Sequence, residues 1–340
     1  MTNPFRRTAL SYVLLPLLAA GLAACGPGPG QTTTPEASTP VAPVATTVGL
    51  TYIPNIQFAA FYVADKQGLY PAPAQVTMRH HGAMEGLFTA LTTGDEQFVV
   101  AGGDEILQAR SQGIDIVAVA AYYAKYPARI IVPENSAIKT VADLKGHSIG
   151  LPGRFGENWF ALLIALDQAG LTENDVNITE IGFTQQAALS TGKVDSVVGF
   201  SNSDVLGYAT INYPVRVIDP QAPLVSICLA TTGAYARDNP AVVRAVIAGM
   251  KQGMAFALND PAATLEISAG YIPSFRGDTL ETAKKVLPAT TALFTGPNGE
   301  VSPPLDGPAW TAMGEAMAKV KLIPAGTDAA AAYTNEFQTG

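Results

Sequence analysis

Between residues 47 and 218 the hydrophobic positions switch repeatedly between two rhythms. β-branched and apolar runs at 48–53, 76–80, 97–101 and 116–121 read as strands. Between them apolar residues recur every three to four positions, which predicts helices over 57–67, 84–92 and 104–111. Gly68, Gly94 and Gly113 stand where those helices should stop. A second series follows, with strands at 130–132, 148–151, 176–181, 196–200 and 215–218 and helices at 141–144, 158–168 and 185–191. From residue 235 the rhythm is helical, over 240–258, 261–269, 279–286 and 309–320.

Strands alternating with helices predict α/β layers around parallel sheets. Two such series make two lobes. The terminal helices must bury their apolar stripes on a core that already exists, and the first lobe offers the uncommitted face. The chain is therefore expected to cross between lobes near Ile130 and near Ile227, leaving a ligand cleft at a hinge. The organisation predicted is a leader over 1–24, a tether over 25–47, a first lobe built from 48–129 and 228–340, and a second lobe from 130–227.

Residues 1–25 hold Arg6 and Arg7, an apolar stretch over 12–22, and the small-residue end Leu22-Ala23-Ala24-Cys25. This is the pattern of a secretory leader, and its end resembles a bacterial lipobox. That resemblance implies cleavage before Cys25, lipid attachment to its thiol, and a protein held on the outer face of a cell membrane. The next stretch, rich in Gly, Pro, Thr and Ala with Glu36 as its one charge, cannot bury enough surface to order itself and reads as a tether. Cys228 is then the only cysteine left in the folded part, so no intramolecular disulfide is expected.

Hydrophobic residues make up 48% of the 340 and charged residues 14%, which suits folded lobes with large cores. The net charge of −8 and the absence of any Lys/Arg-rich run exclude a nucleic-acid partner. The adjacent His80 and His81 point to opposite faces of a strand and cannot share one metal in regular geometry, so no metal site is expected. A G-x-S-x-G elbow is absent and Cys228 lies in no nucleophile signature, which argues against an enzyme. Gly150, Gly153 and Gly156 fit G-x-x-G-x-x-G rather than the dinucleotide spacing.

Several motifs lie at consistent intervals: Tyr52-x-Pro54-Asn55, Tyr62-Val63-Ala64, Gly68-Leu69-Tyr70, Gly94-Asp95, Glu105-x-x-x-Ala109-Arg110-x-x-Gly113, Val119-Ala120-Ala121, Val141-Ala142-Asp143-Leu144-Lys145-Gly146 and Leu189-x-x-Gly192-x-Val194-Asp195. Over about residues 48–265 the chain resembles the solute-binding proteins of ABC importers, and among them the thiamine-pyrimidine-precursor-binding kind. The resemblance implies a type II periplasmic-binding-protein fold, a small-molecule ligand, a monomer, and delivery to a permease with or without a separate ATPase. Pyrimidine-binding relatives usually carry Trp, His and Gly where Tyr52, Phe58 and Ala60 stand here. Phe58 offers a stacking face in place of a polar handle, and in this the chain is similar to the riboflavin-binding subgroup. Riboflavin is accordingly expected as a transported ligand, with no resident cofactor; a pyrimidine precursor or a sulfonate- or nitrate-type solute is the alternative. A related eukaryotic pyrimidine synthase uses a cysteine-rich iron motif, which one folded cysteine cannot supply.

In a two-lobed binder the residues directly after strands meet the ligand. The candidates from the first lobe are Tyr52, Asn55, Phe58, Asp104, Glu105, Tyr122 and Tyr123; Asn55 can both donate and accept. Phe61 sits on an inward stripe and is expected in the core. The second lobe offers Arg154, Phe155, Glu157 and Asn158 after one strand, and Phe200, Asn202 and Asp204 after another. Asp204 and Glu157 could accept hydrogen bonds from ring N–H groups or hydroxyls.

Overall fold

The chain runs through two five-stranded sheets in the computed structural model, which describes residues 42–82 and 85–338; the leader and Cys25 lie outside them. The first series comprises β1 (Val44–Leu50), α1 (Ala59–Lys66), β2 (Ala74–His80), α2 (Thr89–Thr93), β3 (Phe98–Gly102), α3 (Gly103–Ser111) and β4 (Ile116–Ala121). The second comprises β5 (Ala128–Pro133), β6 (Ser148–Leu151), α4 (Gly156–Gln168), β7 (Asn177–Glu180), α5 (Gln185–Ser190), β8 (Ser196–Phe200), α6 (Asp204–Thr210) and β9 (Val215–Ile218). Then come β10 (Ile227–Thr232), α7 (Gly233–Asp238), α8 (Pro240–Asn259), α9 (Pro261–Ser268), α10 (Asp278–Thr291) and α11 (Gly307–Lys319).

The strand order is β2-β1-β3-β10-β4 in one sheet and β7-β6-β8-β5-β9 in the other. β1, β2 and β3 are parallel, as are β6, β7 and β8. β10 runs antiparallel to β3 and β4, and β5 antiparallel to β8 and β9. The reason is the crossing. β5 and β10 are the first strands after the chain changes lobe, and a chain that leaves one sheet at its cleft edge enters the other at that edge, so its first strand runs away from the cleft.

Four expectations change. The first strand begins at Val44, so 44–47 are not tether: Thr46 is buried, and 44–47 pair with 74–77 of β2. The β-branched Val44, Thr46 and Thr47 outweigh the Pro/Ala-rich composition upstream. The helix expected over 57–67 divides into a 3-10 turn at Ile56–Phe58 and α1, the turn being capped by the Asn55 side chain accepting from Gln57 N–H at 3.1 Å. The helix expected from Met84 is reduced to α2, Met84 itself lying outside the described residues. β10, α6 and α7 are additional.

Among the terminal helices, α8 and α9 pack on α1, and α10 packs on the turn at 56–58. α8 packs along α1, where Gly253 admits the Ala60 carbonyl within 2.0 Å of where a Cβ would stand. Phe61, Tyr62, Met250 and Met254 are fully buried in that seam, each contributing about 1.5–3 kcal/mol. α10 and α11 also reach the second lobe, against α6 and α4 respectively. Lys319 of α11 donates to Asp167 of α4 at 2.5 Å. The C-terminal segment lies along β4, with Thr334 N–H donating to the Ala118 carbonyl at 2.9 Å, and so covers an otherwise open edge. Cys228 is fully buried in β10, and burial pushes its thiol pKa well up, which suits a packing role.

Candidate functional site

The two lobes share a cavity of about 350 Å³ at the carboxyl ends of β1, β3, β6, β7 and β8, within the range of small-molecule clefts, about 300–1,000 Å³. Its first-lobe wall is set by the crossing. Tyr122 and Tyr123 follow β4, and both backbone N–H groups donate to the Ile227 carbonyl at 2.8 and 2.9 Å, tying the outgoing crossing to the return. The two rings stack at 5.0 Å, and the Tyr122 hydroxyl donates to the Gln57 carbonyl at 2.6 Å. Phe58 packs its ring edge-to-face with His80 at 5.5 Å. Desolvation holds the His80 pKa below its ordinary value. Asn55 uses its side-chain oxygen to cap the turn, which leaves its NH₂ group for the cavity. Phe61 lies behind, in the core and against Tyr122.

The second-lobe wall comes from Pro152, Phe155, Gly156, Glu157 and Asn158 around the start of α4, and from Phe183, Gln185, Phe200, Ser203 and Asp204. Phe155 and Phe183 are 60% and 63% exposed. Tyr52 of the first lobe faces Phe183 across the gap, ring centroids 6.3 Å apart. Its phenol pKa is raised by burial and then by the charge of Asp204.

Carboxyl groups dominate the floor. Asp104, fully buried, accepts from the Tyr126 hydroxyl at 2.5 Å and from Glu105 N–H at 2.8 Å. Burial still lifts its pKa to about 7. Glu105 accepts from Gly102 N–H at 3.1 Å, and burial, reinforced by the charge of Asp104, lifts its pKa to about 8. Glu157 is pushed well above the usual carboxylate range by burial and then by Asp104 and Glu105. Asp204 is raised by burial, opposed by the hydrogen bond from Phe200 N–H at 2.7 Å.

Of the residues expected at the cleft, Tyr52, Asn55, Phe58, Glu105, Tyr122, Tyr123, Phe155, Glu157, Asn158, Phe200 and Asp204 line it. Three do not. Asp104 sits one layer behind, held by Tyr126. Arg154 turns outward to ion pairs with Glu173 and Glu180, its guanidinium 5.0 Å from the Trp159 ring centroid. Asn202 is buried against α10, its amide donating to the Thr290 hydroxyl at 3.0 Å, where it joins the second lobe to a first-lobe helix. Thr51, Gln57, Leu87, Phe183, Gln185 and Ser203 line the cavity and were not expected. Thr51 directly follows β1, and Phe183 and Gln185 stand between β7 and α5, so the rule of residues after strands reaches all three.

Two α/β lobes, joined by two crossings around a cleft at the strand ends, make a periplasmic-binding-protein fold. Solved structures agree on the fold. The periplasmic aliphatic sulphonate binding protein SsuA of Escherichia coli superposes with a TM-score of 0.69 at 22% identity, covering 88% of this chain and all of that one. The alkanesulfonate-binding SsuA of Xanthomonas axonopodis pv. citri, bound to MOPS, gives 0.66 at 21% identity, covering 86% and 99%. The riboflavin-binding protein RibY of Chloroflexus aurantiacus is 32% identical over 326 residues, 91% of this chain and 92% of the relative. Residues 55–264 match the family described as NMT1/THI5 like, and the chain belongs to it.

Proposed function

We propose that this protein captures riboflavin outside the cytoplasm and hands it to the permease of an ABC importer, binding it without chemical change. The observation that carries the reading is the aromatic composition of the cleft: Phe58, Tyr122 and Tyr123 on one side, Phe155, Phe183 and Phe200 on the other, with Tyr52 at the rim. A flavin is a flat, largely apolar ring system with a polar edge, and the exposed rings of Tyr52 on one lobe and Phe155 and Phe183 on the other give it faces to stack on, with the buried first-lobe rings behind. Asn55, Gln185, Asn158 and the carboxyls supply the few polar groups that orient such a ring and meet its ribityl hydroxyls. The full-length relative that binds riboflavin supports the same choice.

Contacts from both lobes exist only when the cleft is shut. Ligand binding thus favours the closed form by its differential affinity, and the closed form is the shape a permease can recognise. The lipobox-like Leu22-Ala23-Ala24-Cys25 would anchor the protein by lipid at the membrane surface, the folded part working as a monomer on its tether.

The test is direct. Purified protein titrated with riboflavin should quench flavin fluorescence and melt at a higher temperature, and protein carrying ligand from its host should be yellow until denatured. Full fluorescence with an unmoved melting temperature would reject riboflavin, and a thiamine pyrimidine precursor would be tried next.

A further inference from the structure

The cleft is charged on one side only. Among the described residues its lining contains Glu105, Glu157 and Asp204 and no Lys, Arg or His. α3 and α4 point their N-termini at the cavity, the helix end that attracts anions. Both carry their own acids in the first turn, Asp104 and Glu105 on α3 and Glu157 on α4. Backbone donors that an anionic ligand would use are already engaged: Gly102 N–H by Glu105, Glu105 N–H by Asp104, Phe200 N–H by Asp204.

Glu105 and Glu157 also meet from opposite lobes. Glu105 Oε1 lies 3.1 Å from where a Cβ on Gly156 would stand, and Glu157 Cγ lies 3.2 Å from the corresponding point on Gly102. Each acidic side chain is thus received by a glycine of the other lobe. Glu157 Oε1 is buried and has no hydrogen-bond partner, and neither has Asn158 Oδ1 beside it. The titratable groups facing this pair are Asp104, Tyr123, Tyr126 and Cys228, all neutral or acidic. Two unpartnered buried oxygens in a cavity whose described lining holds no cationic side chain call for hydrogen bonds from the ligand.

We propose that Glu105 and Glu157 set the charge specificity of the cleft: they accept a planar ligand that brings N–H or O–H donors and no negative charge, and refuse the same ring once it carries an anionic group. The choice of ring rests on the riboflavin reading; the charge rule rests on the carboxyl pair. Burial keeps protons on this cluster, and rising pH ionises it, so refusal of anions strengthens with pH.

The experiment compares riboflavin, riboflavin 5′-phosphate and ethanesulfonate on the full-length protein by calorimetric titration at pH 6.5 and pH 8.5. Riboflavin should bind at least about tenfold more tightly than its phosphate ester, with a wider gap at pH 8.5, and ethanesulfonate should not bind. Glu105→Gln and Glu157→Gln keep the side-chain shape and should each narrow the gap; either one that folds suffices. Equal affinity for the two flavins, or a gap unmoved in the variants, overturns the charge rule and leaves the riboflavin reading standing. If riboflavin does not bind, cationic thiamine against ethanesulfonate decides. Thiamine binding alone keeps the rule and removes the flavin, whereas binding of the sulfonate, or of neither, removes the rule as well.

Discussion

The two walls of the cleft are made differently. In the first lobe Phe58, Tyr122 and Tyr123 are almost wholly buried, locked by the Tyr122–Gln57 hydrogen bond, by the stacked pair, and by Phe61 and Phe294 behind. In the second lobe Phe155 and Phe183 stand exposed on the loops after β6 and β7. One wall is an extension of the core and is fixed before any ligand arrives. The other stands in solvent, and an aromatic ring that settles on a guest loses little rotamer freedom in doing so. Stability and affinity should therefore separate between the buried rings and the exposed ones.

The strongest way to break this comparison is Tyr122→Ala. It empties a fully buried aromatic site and should cost about 3–5 kcal/mol of stability, read by denaturant unfolding. A variant as stable as the parent would show that the first wall is not core.

The pH dependence of stability comes next. An unfolded glutamate holds its proton only below about 4.5, whereas Glu105 in the fold holds it to about 8. The folded state binds more protons between those values, so the contribution of Glu105 is greatest below pH 4.5 and declines as pH rises to about 8. Asp104 acts in the same direction up to about 7. The melting temperature should drop by several degrees between pH 5.5 and pH 8.5, and Glu105→Gln should flatten the slope. A slope identical in the variant would count against the assignment.

Phe183→Ala and Tyr52→Ala sharpen the comparison from the other side. Each should weaken ligand binding by about 1–3 kcal/mol in a fluorescence titration. Phe183→Ala should leave unfolding within about 1 kcal/mol of the parent, since its ring is mostly exposed. The smallest effect belongs to Arg154→Ala, which removes surface ion pairs worth below about 1 kcal/mol and touches no lining residue's hydrogen bond. Ligand affinity there should be unchanged.

Much of the second lobe was readable in the chain. Strands 148–151, 196–200 and 215–218 coincide with β6, β8 and β9, because each is a short apolar run between turn residues. The direction of β5 and β10 was not readable, since it depends on where the chain enters a sheet and no residue in the strand records that. The same holds for side chains. Position after a strand placed Tyr52, Asn55, Glu105, Tyr122 and Asp204 near the cleft, but Asp104 and Glu105 are neighbours on one helix turn, and only packing decided that Tyr126 claims the first while the second faces the cavity. Arg154 looked equally placed to Phe155; Glu173 and Glu180, further along the chain, draw it outward.

Local rhythm, composition and motif spacing thus determined the lobes, the family resemblance and the neighbourhood of the site, because these depend on residues close together in the chain. The tertiary structure alone decided that Glu105 and Glu157, on helices of different lobes, meet over a pair of glycines. It also decided that, among the described residues, no cationic side chain lines the cavity beside them, since a charge distribution is a property of how distant segments pack and carries no signature in any one of them.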